Sequence, residues 1–198
     1  MRLGARGIVL AGSLVALGAG TVSAQVRWQV DASVGGGSVP VISTALANVF
    51  TSGFSFGTYE SGPTRSDGAM GVRIVRVRDR HGFGVSYTHE VIRNQVWLED
   101  ADPTPDGDQV ITAQSLILES FLIWDAVGTV RASSGIAFGP ALLTDRVTIE
   151  GDSEEADKLA FAHQVDAITL SIGGRLRGWT SLGFGYRGIG AVGVAYTP

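Results

Sequence analysis

Apolar residues recur at every second position through much of the chain after residue 25, and this period constrains the fold more than any other feature. From Val26 to Val34 the even-numbered residues are apolar and the odd-numbered ones are polar or charged, and segments 129–145 and 182–196 repeat the pattern. Side chains alternate between the two faces of a β-strand, whereas a helix repeats every three or four residues. The alternation therefore predicts strands with one apolar and one polar face.

Turn signals divide the chain into eight strands joined by alternating short and long connections. We place the strands near residues 26–35, 69–79, 83–98, 109–124, 129–149, 158–172, 175–186 and 189–198. The long connections are 36–68, 99–108 and 150–157, and the last connection is a tight turn at Arg187 and Gly188. Three strands, 69–79, 109–124 and 158–172, carry apolar residues on both faces, as a β-bulge would produce.

The first residues have the three-part pattern of a secretory signal peptide. Two arginines precede an uncharged, mostly apolar stretch at 7–20, and small residues at 22–24 form a cleavage site. The apolar stretch is short against the ~20 residues that a transmembrane helix needs. We expect residues 1–24 to be removed on export and residues 25–198 to form one domain. The chain has no cysteine, which excludes disulfides and thiolate chemistry.

The composition of the two faces predicts which of them points inward. The polar face is rich in Gly, Ala and Ser with interspersed ions, and the chain has a single lysine, Lys158, so this face suits a crowded lumen better than an exposed surface. The apolar face suits hydrocarbon, and aromatic residues near strand ends suit the two lipid–water boundaries: Trp28, Trp97, Trp124, Tyr186 and Tyr196. The predicted fold is all-β, an eight-stranded antiparallel up-and-down transmembrane β-barrel.

The signal peptide, the alternating loops and the closing hairpin Trp179–Tyr196 resemble small eight-stranded bacterial outer-membrane β-barrel proteins of the OmpA/OmpX-like type. In that family the last strand ends in an aromatic residue with apolar residues two and four places before it, and the outer-membrane assembly machinery reads this signal. Val192, Val194 and Tyr196 match it, although two further residues follow. The resemblance implies a cell outer membrane protein in contact with membrane lipid and lipopolysaccharide, and we expect a monomer.

Charged residues on the polar face would meet inside a narrow barrel, where buried charge is tolerated only when it is paired. We therefore expect an arginine–carboxylate network that joins Arg27, Arg131, Arg175 and Arg177 to Asp31, Glu90, Glu119 and Asp166. Arg73, on a strand with a blurred pattern, is a further candidate. The network either plugs the lumen, the interpretation that we favour, or lines an ion path or a proton-sensitive gate.

Acidic residues crowd two of the long connections and are candidates for weak Ca²⁺ or Mg²⁺ binding at one rim. The candidates are Asp100, Asp102, Asp106, Asp108, Asp152, Glu154, Glu155 and Asp157. The spacing in the first group echoes a calcium loop, but Ile111 occupies the place of its final acid. The favoured alternative is a solvated, self-repelling rim, so we predict no metal site and no cofactor.

Catalysis is not predicted, because the residues needed for a hydrolytic site do not share a strand face. His89 and Glu90 are adjacent and therefore point to opposite faces, and His163 and Asp166 also differ in parity. The net charge of -4 makes nucleic acid a poor partner. Two alternatives to a structural or surface-interaction role stay open: an exported soluble lipocalin-like ligand-binding barrel and a lipid A-modifying outer-membrane enzyme.

Overall fold

The computed structural model describes residues 26–41, 59–61, 63–98, 105–149 and 151–198. The expected signal peptide (1–24) and two of the acidic candidates, Asp100 and Asp102, lie outside these residues. Ten β-strands are found in the described part of the chain. They are β1 Val26–Gly36, β2 Tyr59–Ser61, β3 Arg65–Ser66, β4 Ala69–Arg78, β5 His81–Leu98, β6 Gly107–Val127, β7 Val130–Ile149, β8 Asp152–Gly173, β9 Leu176–Gly185 and β10 Gly190–Tyr196.

Eight of these strands pair in an antiparallel sheet whose hydrogen bonds run in a closed ring. Going around the ring, the order is β1, β4, β5, β6, β7, β8, β9 and β10, and β10 pairs again with β1 from Val30↔Tyr196 to Gly36↔Gly190. The short strands β2 and β3 pair with β5. The predicted all-β, antiparallel class is confirmed. Among the described residues, no helix has the length and apolar character to cross a membrane.

The ring has two unlike ends, because consecutive antiparallel strands place their connections alternately at opposite ends. The turn end carries the short turns 79–80, 128–129 and 174–175 and the last residues of the chain. At the loop end β1, β5 and β7 end and β4, β6 and β8 begin, and the turn 186–189 joins β9 to β10 on that side. Strands β1, β4, β9 and β10 have 7 to 11 residues, and β5 to β8 have 18 to 22. The longer four extend farther at the loop end.

Four of the acidic candidates lie in a strand where the sequence predicted a loop. Asp152, Glu154, Glu155 and Asp157 all belong to β8, which begins six residues earlier than the predicted 158. They pair with the upper part of β7, where Arg146 Nη2 donates to Glu155 Oε2 at 2.5 Å. These acids interrupt the alternation of apolar residues from which strands were predicted. The segment nevertheless forms a strand, because it pairs with β7.

A bulge explains the blurred pattern of β8, because its extra residue near Ala167 lies opposite both neighbouring strands and exchanges the faces beyond it. A second bulge adds one residue to β6 between Ile123 and Asp125, close to the end of the strand, so the blurred pattern before it comes from inward apolar residues, Ala113 and Ile117. Ser134 of β7 lies between the two bulges: Trp124 Nε1 donates to Ser134 Oγ at 3.0 Å, and that hydroxyl donates to the Ala167 carbonyl at 2.9 Å. Strand β4 has no such shift in its pairings, and its pattern is blurred because Val75 and Val77 are buried.

The outer face of the ring is mostly apolar, and the inner face carries mainly small and polar residues with a few larger apolar ones, such as Ile92 and Trp179. Thirty large hydrophobic residues of the described chain are exposed, among them Phe138 on β7 and Leu182 on β9. Buried positions on the same strands hold alanine, serine, glutamine and charged residues. A soluble protein sorts its side chains the other way. Tyr186 departs from the expected boundary position, because it is buried in the ring with Ile117 and Ala137.

Candidate functional site: a charged cluster and a basic cup inside the ring

Three carboxylates meet in the middle of the ring, each from a different strand. Asp31 lies on β1, Glu119 on β6 and Asp166 on β8, and all three residues are at least nine-tenths buried. They are at inward positions of their strands, with Asp166 directly before the β8 bulge. Carboxylates buried this deeply require positive partners, since the cost of removing an ion from water is several kcal/mol.

Arg73 on β4 joins two of these carboxylates. Its guanidinium donates to Asp31 and, through Nη1, to Glu119 Oε2 at 3.1 Å. The same group lies 5.3 Å from the ring centroid of Trp179 and 5.6 Å from that of Phe121, within range for cation–π contacts. Arg73 is therefore held both by charge and by aromatic faces.

Arg187 supplies the second positive charge, and it comes from the turn between β9 and β10. Its Nη1 donates to Glu119 Oε1 at 2.9 Å and its Nη2 to Asp166 Oδ2 at 2.5 Å. Arg187 is buried inside the ring, and the flanking Gly185 and Gly188 adopt positive φ angles of 151° and 109°. Only glycine adopts such backbone readily, so these two residues permit the inward fold of the turn. We call Asp31, Arg73, Glu119, Arg187 and Asp166 the plug cluster.

Glutamines satisfy the outer oxygens of the plug cluster. Gln29 Nε2 donates to Asp31 Oδ1 at 2.8 Å, and Gln164 Nε2 donates to Asp166 Oδ1 at 2.9 Å. Gln164 Oε1 also accepts the backbone N–H of Arg187 at 2.9 Å, which fastens the turn. Beside the cluster lies a cavity of about 40 Å³, room for a water molecule or two but no organic ligand.

Glu90 lies apart from the plug cluster and has hydroxyl partners. Its carboxylate accepts hydrogen bonds from Ser38 and, at 2.5 Å, from Ser66. Ser38 follows β1 and Ser66 lies in β3, so Glu90 ties these two described parts of the chain to β5. The sequence expected an arginine beside Glu90. No ion pair of Glu90 is found with any described arginine.

The four arginines that the sequence assigned to the network lie elsewhere, around an open volume of about 630 Å³ at the turn end. We call this volume the basic cup; Arg27, Arg131, Arg175 and Arg177 line it. The charged network therefore contains different arginines from the four predicted. Arg73 was named as a further candidate, whereas Arg187 was missed because its position suggested an ordinary tight turn. The glycines at 185 and 188, on either side of Tyr186 and Arg187, are the sequence feature that could have indicated an inward turn.

Arg177 connects the cup to the plug cluster. Its residue is 6% exposed, its Nη1 donates to Gln29 Oε1 at 3.3 Å and its Nη2 to the Gly174 carbonyl at 3.0 Å. The charges of Arg27, Arg131 and Arg177 repel one another, whereas Asp31 attracts Arg177 from deeper in the ring. The cup is therefore a concentration of positive charge, with Asp31 on its inner side.

The acidic candidates do not converge. Glu155 pairs with Arg146, and Asp157 accepts a hydrogen bond from Thr144 at 2.7 Å. Asp106 lies directly before β6 and Asp108 in it, whereas Asp152 and Glu154 are exposed on β8. Across the residues that the structure describes, no three His, Asp or Glu side chains come together in an arrangement that could hold a metal ion.

The histidines lie apart from the buried carboxylates, as their parity predicted. Glu90 is buried in the ring, and His89 beside it is partly exposed on the other face. His163 packs against the outward Phe184, with ring centroids 6.0 Å apart, and the β8 bulge falls after Asp166, so these two residues also stay on opposite faces. His81 begins β5 at the turn end and is exposed.

The closing segment lies on the outer face beside the first strand. Val192, Val194 and Tyr196 are each half exposed, and in the ladder they stand opposite Val34, Ala32 and Val30.

No protein-family model matches the chain, and a search of curated proteins finds no significant match.

Proposed function

We propose that this chain is an integral outer-membrane β-barrel protein of the OmpA/OmpX-like type, with a structural or surface-interaction role and a plugged lumen. The observation that carries the proposal is the sidedness of the ring, with most of the large apolar side chains outward and mainly charged, polar or small side chains inward. The cost of leaving such a surface in water is high, because burying a single Leu or Phe side chain contributes about 1.5–3 kcal/mol. Apolar patches on soluble monomers rarely exceed a few hundred Å².

Strand lengths and closure support the same proposal. A transmembrane β-strand needs about 9–11 residues when tilted, and β1, β4 and β9 have 11, 10 and 10. A closed ring also satisfies its backbone hydrogen bonds internally, as hydrocarbon demands. The longer strands β5 to β8 would project beyond the membrane at the loop end, which we assign to the cell exterior, where they offer a surface for interactions.

The plug cluster supports a closed lumen rather than an ion path. Each of its three carboxylates has an arginine partner, and the cavity beside it has a volume of only about 40 Å³. We propose no catalytic activity and no cofactor. Planar-bilayer conductance of the refolded protein tests this part: a closed lumen gives no steady current, and a stable open current would support the ion path instead.

The remaining parts of the proposal concern export and assembly. Residues 1–24 would direct the chain across the inner membrane, and Val192, Val194 and Tyr196 would present the assembly signal at the outer edge of β10. The partners would be outer-membrane lipid, lipopolysaccharide and the assembly machinery, with the protein itself a monomer and without nucleic acid.

Fractionation of expressing cells tests the proposal. We expect the protein in the detergent-extracted outer membrane, with a folded form that migrates differently from the heated form on a denaturing gel. A freely soluble periplasmic protein would contradict the proposal and favour the lipocalin-like alternative, whose cavity should be apolar. A change in lipid A mass spectra on expression would favour the lipid-modifying enzyme.

A further inference from the structure

The basic cup is an open volume that the proposed membrane role does not use. At about 630 Å³ it is within the range of small-molecule pockets, and four of its lining residues are arginines. The described residues that line it contribute no carboxylate side chain. The nearest acid of the interior, Asp31, is already engaged by Arg73 and Gln29.

The arginines of the cup are placed by the fold and held facing one another. Arg131 follows the turn 128–129, and Arg175 and Arg177 lie at and after the turn 174–175, so two neighbouring hairpins bring them to the same mouth. Arg177 is pinned by its bonds to Gln29 and Gly174, and its buried Nε–H has no hydrogen-bond partner among the described residues. Repulsion between Arg131 and Arg177 is relieved when an anion binds between them.

We infer that the basic cup binds a phosphate group at the turn end of the ring. Guanidinium groups match phosphate geometry through paired hydrogen bonds and keep their charge at any physiological pH. A phosphate group offers acceptor oxygens to several arginines at once, and a monoester or diphosphate also carries two or more negative charges. The group belongs either to a soluble phosphate ester or diphosphate, or to a phospholipid headgroup, since Trp28 and Tyr196 lie on the outer face at this same end.

Calorimetric titration with inorganic diphosphate tests the inference on the whole chain, folded in zwitterionic detergent at low ionic strength. We expect saturable binding at one site, and at least a tenfold weaker affinity in the double variant Arg131→Gln and Arg175→Gln. The matched control is Arg76→Gln with Arg78→Gln, which removes the same charge from the outward positions of β4 near the same end. That control should change the affinity less than twofold.

Absence of binding at millimolar diphosphate would overturn the inference, and so would an equal loss of affinity in the control variant, because the attraction would then be diffuse. The single variant Arg175→Gln guards against misfolding, since this residue is exposed and its replacement should still weaken binding. A folded Arg175→Gln protein with unchanged affinity would remove Arg175 from the site and contradict the inference.

Nanodiscs with and without phosphatidylglycerol separate the two sources of phosphate. If the source is a lipid headgroup, native mass spectrometry retains phosphatidylglycerol on the unsubstituted protein but not on the double variant, and diphosphate displaces it. If the source is soluble, diphosphate binds equally well in both kinds of disc. Either result supports a phosphate site. If neither phosphatidylglycerol retention nor diphosphate binding is seen, the inference is overturned. The inference stands apart from the proposed surface role, because the detergent titration needs no membrane.

Discussion

The middle and the turn end of the ring both contain arginines, yet one is closed and the other open. In the middle, Arg73 and Arg187 alternate with three carboxylates, and the adjoining cavity measures about 40 Å³. At the turn end, arginines face arginines around about 630 Å³. Opposite charges can pack in an interior because their attraction offsets part of the desolvation cost, whereas like charges repel one another and favour contact with water. The two regions therefore differ in whether their arginines are paired with carboxylates, more than in how many arginines they contain.

The largest expected effect comes from Arg187→Met, which leaves Glu119 and Asp166 with buried charge and one partner fewer. Breaking a buried ion pair from one side costs about 3–5 kcal/mol. Urea unfolding followed by tryptophan fluorescence should show a loss of that order in the free energy of unfolding. Adding Glu119→Gln and Asp166→Asn to the variant should restore part of the loss. A loss below 1 kcal/mol in the Arg187→Met variant alone would contradict the ion pairs of Arg187 with Glu119 and Asp166.

A smaller effect is expected for Glu90→Gln, because the hydrogen bonds from Ser38 and Ser66 then reach a neutral acceptor. Hydrogen bonds to charged groups contribute about 1.5–3 kcal/mol, and the amide keeps some of this. Hydrogen exchange should rise in segments 37–41 and 65–68, with the ring strands unchanged. His89→Gln, one position away on the outer face, is the matched control. Equal exchange in both variants would show that Glu90 is no tether.

The smallest effect is expected for Arg131→Gln in the basic cup. Removal of one of several repelling charges should change the free energy of unfolding by less than about 0.5 kcal/mol, in the range of ordinary surface substitutions. The same replacement at Arg73, which carries two ion pairs, should cost several times more. If urea unfolding gave the two variants equal losses, the distinction between plug cluster and cup would fail.

Much of the ring could be predicted from alternation, but its charged interior only in part. For strand β7 the predicted range 129–149 agrees with the observed Val130–Ile149 to within one residue, because the alternation of its side chains is clear. Asp31, Glu119 and Asp166 were selected correctly as inward acids. Their partner Arg187 lies in a turn, where the alternation of inward and outward side chains along a strand no longer applies. Its inward direction depends on the backbone angles of Gly185 and Gly188.

The bulge near Ala167 sets a second limit, because its single inserted residue exchanges the two faces of β8 beyond it. The strand carrying Asp152 to Asp157 was missed for a different reason. Its side chains are polar on both faces, so only pairing with β7 distinguishes it from a loop.

Lipid contact at an outward and an inward position of one strand tests the central claim most directly. The chain has no cysteine, so a single cysteine that carries a fluorophore can be placed at Phe138, on the outer face of β7, or at Arg131, which lines the open cup. Refolded into bilayers, the label at 138 should be quenched by brominated acyl chains and shielded from aqueous iodide, and the label at 131 should be quenched by iodide and escape the lipid quencher. Equal quenching at both positions, or the reverse order, would contradict an apolar outer face in contact with hydrocarbon.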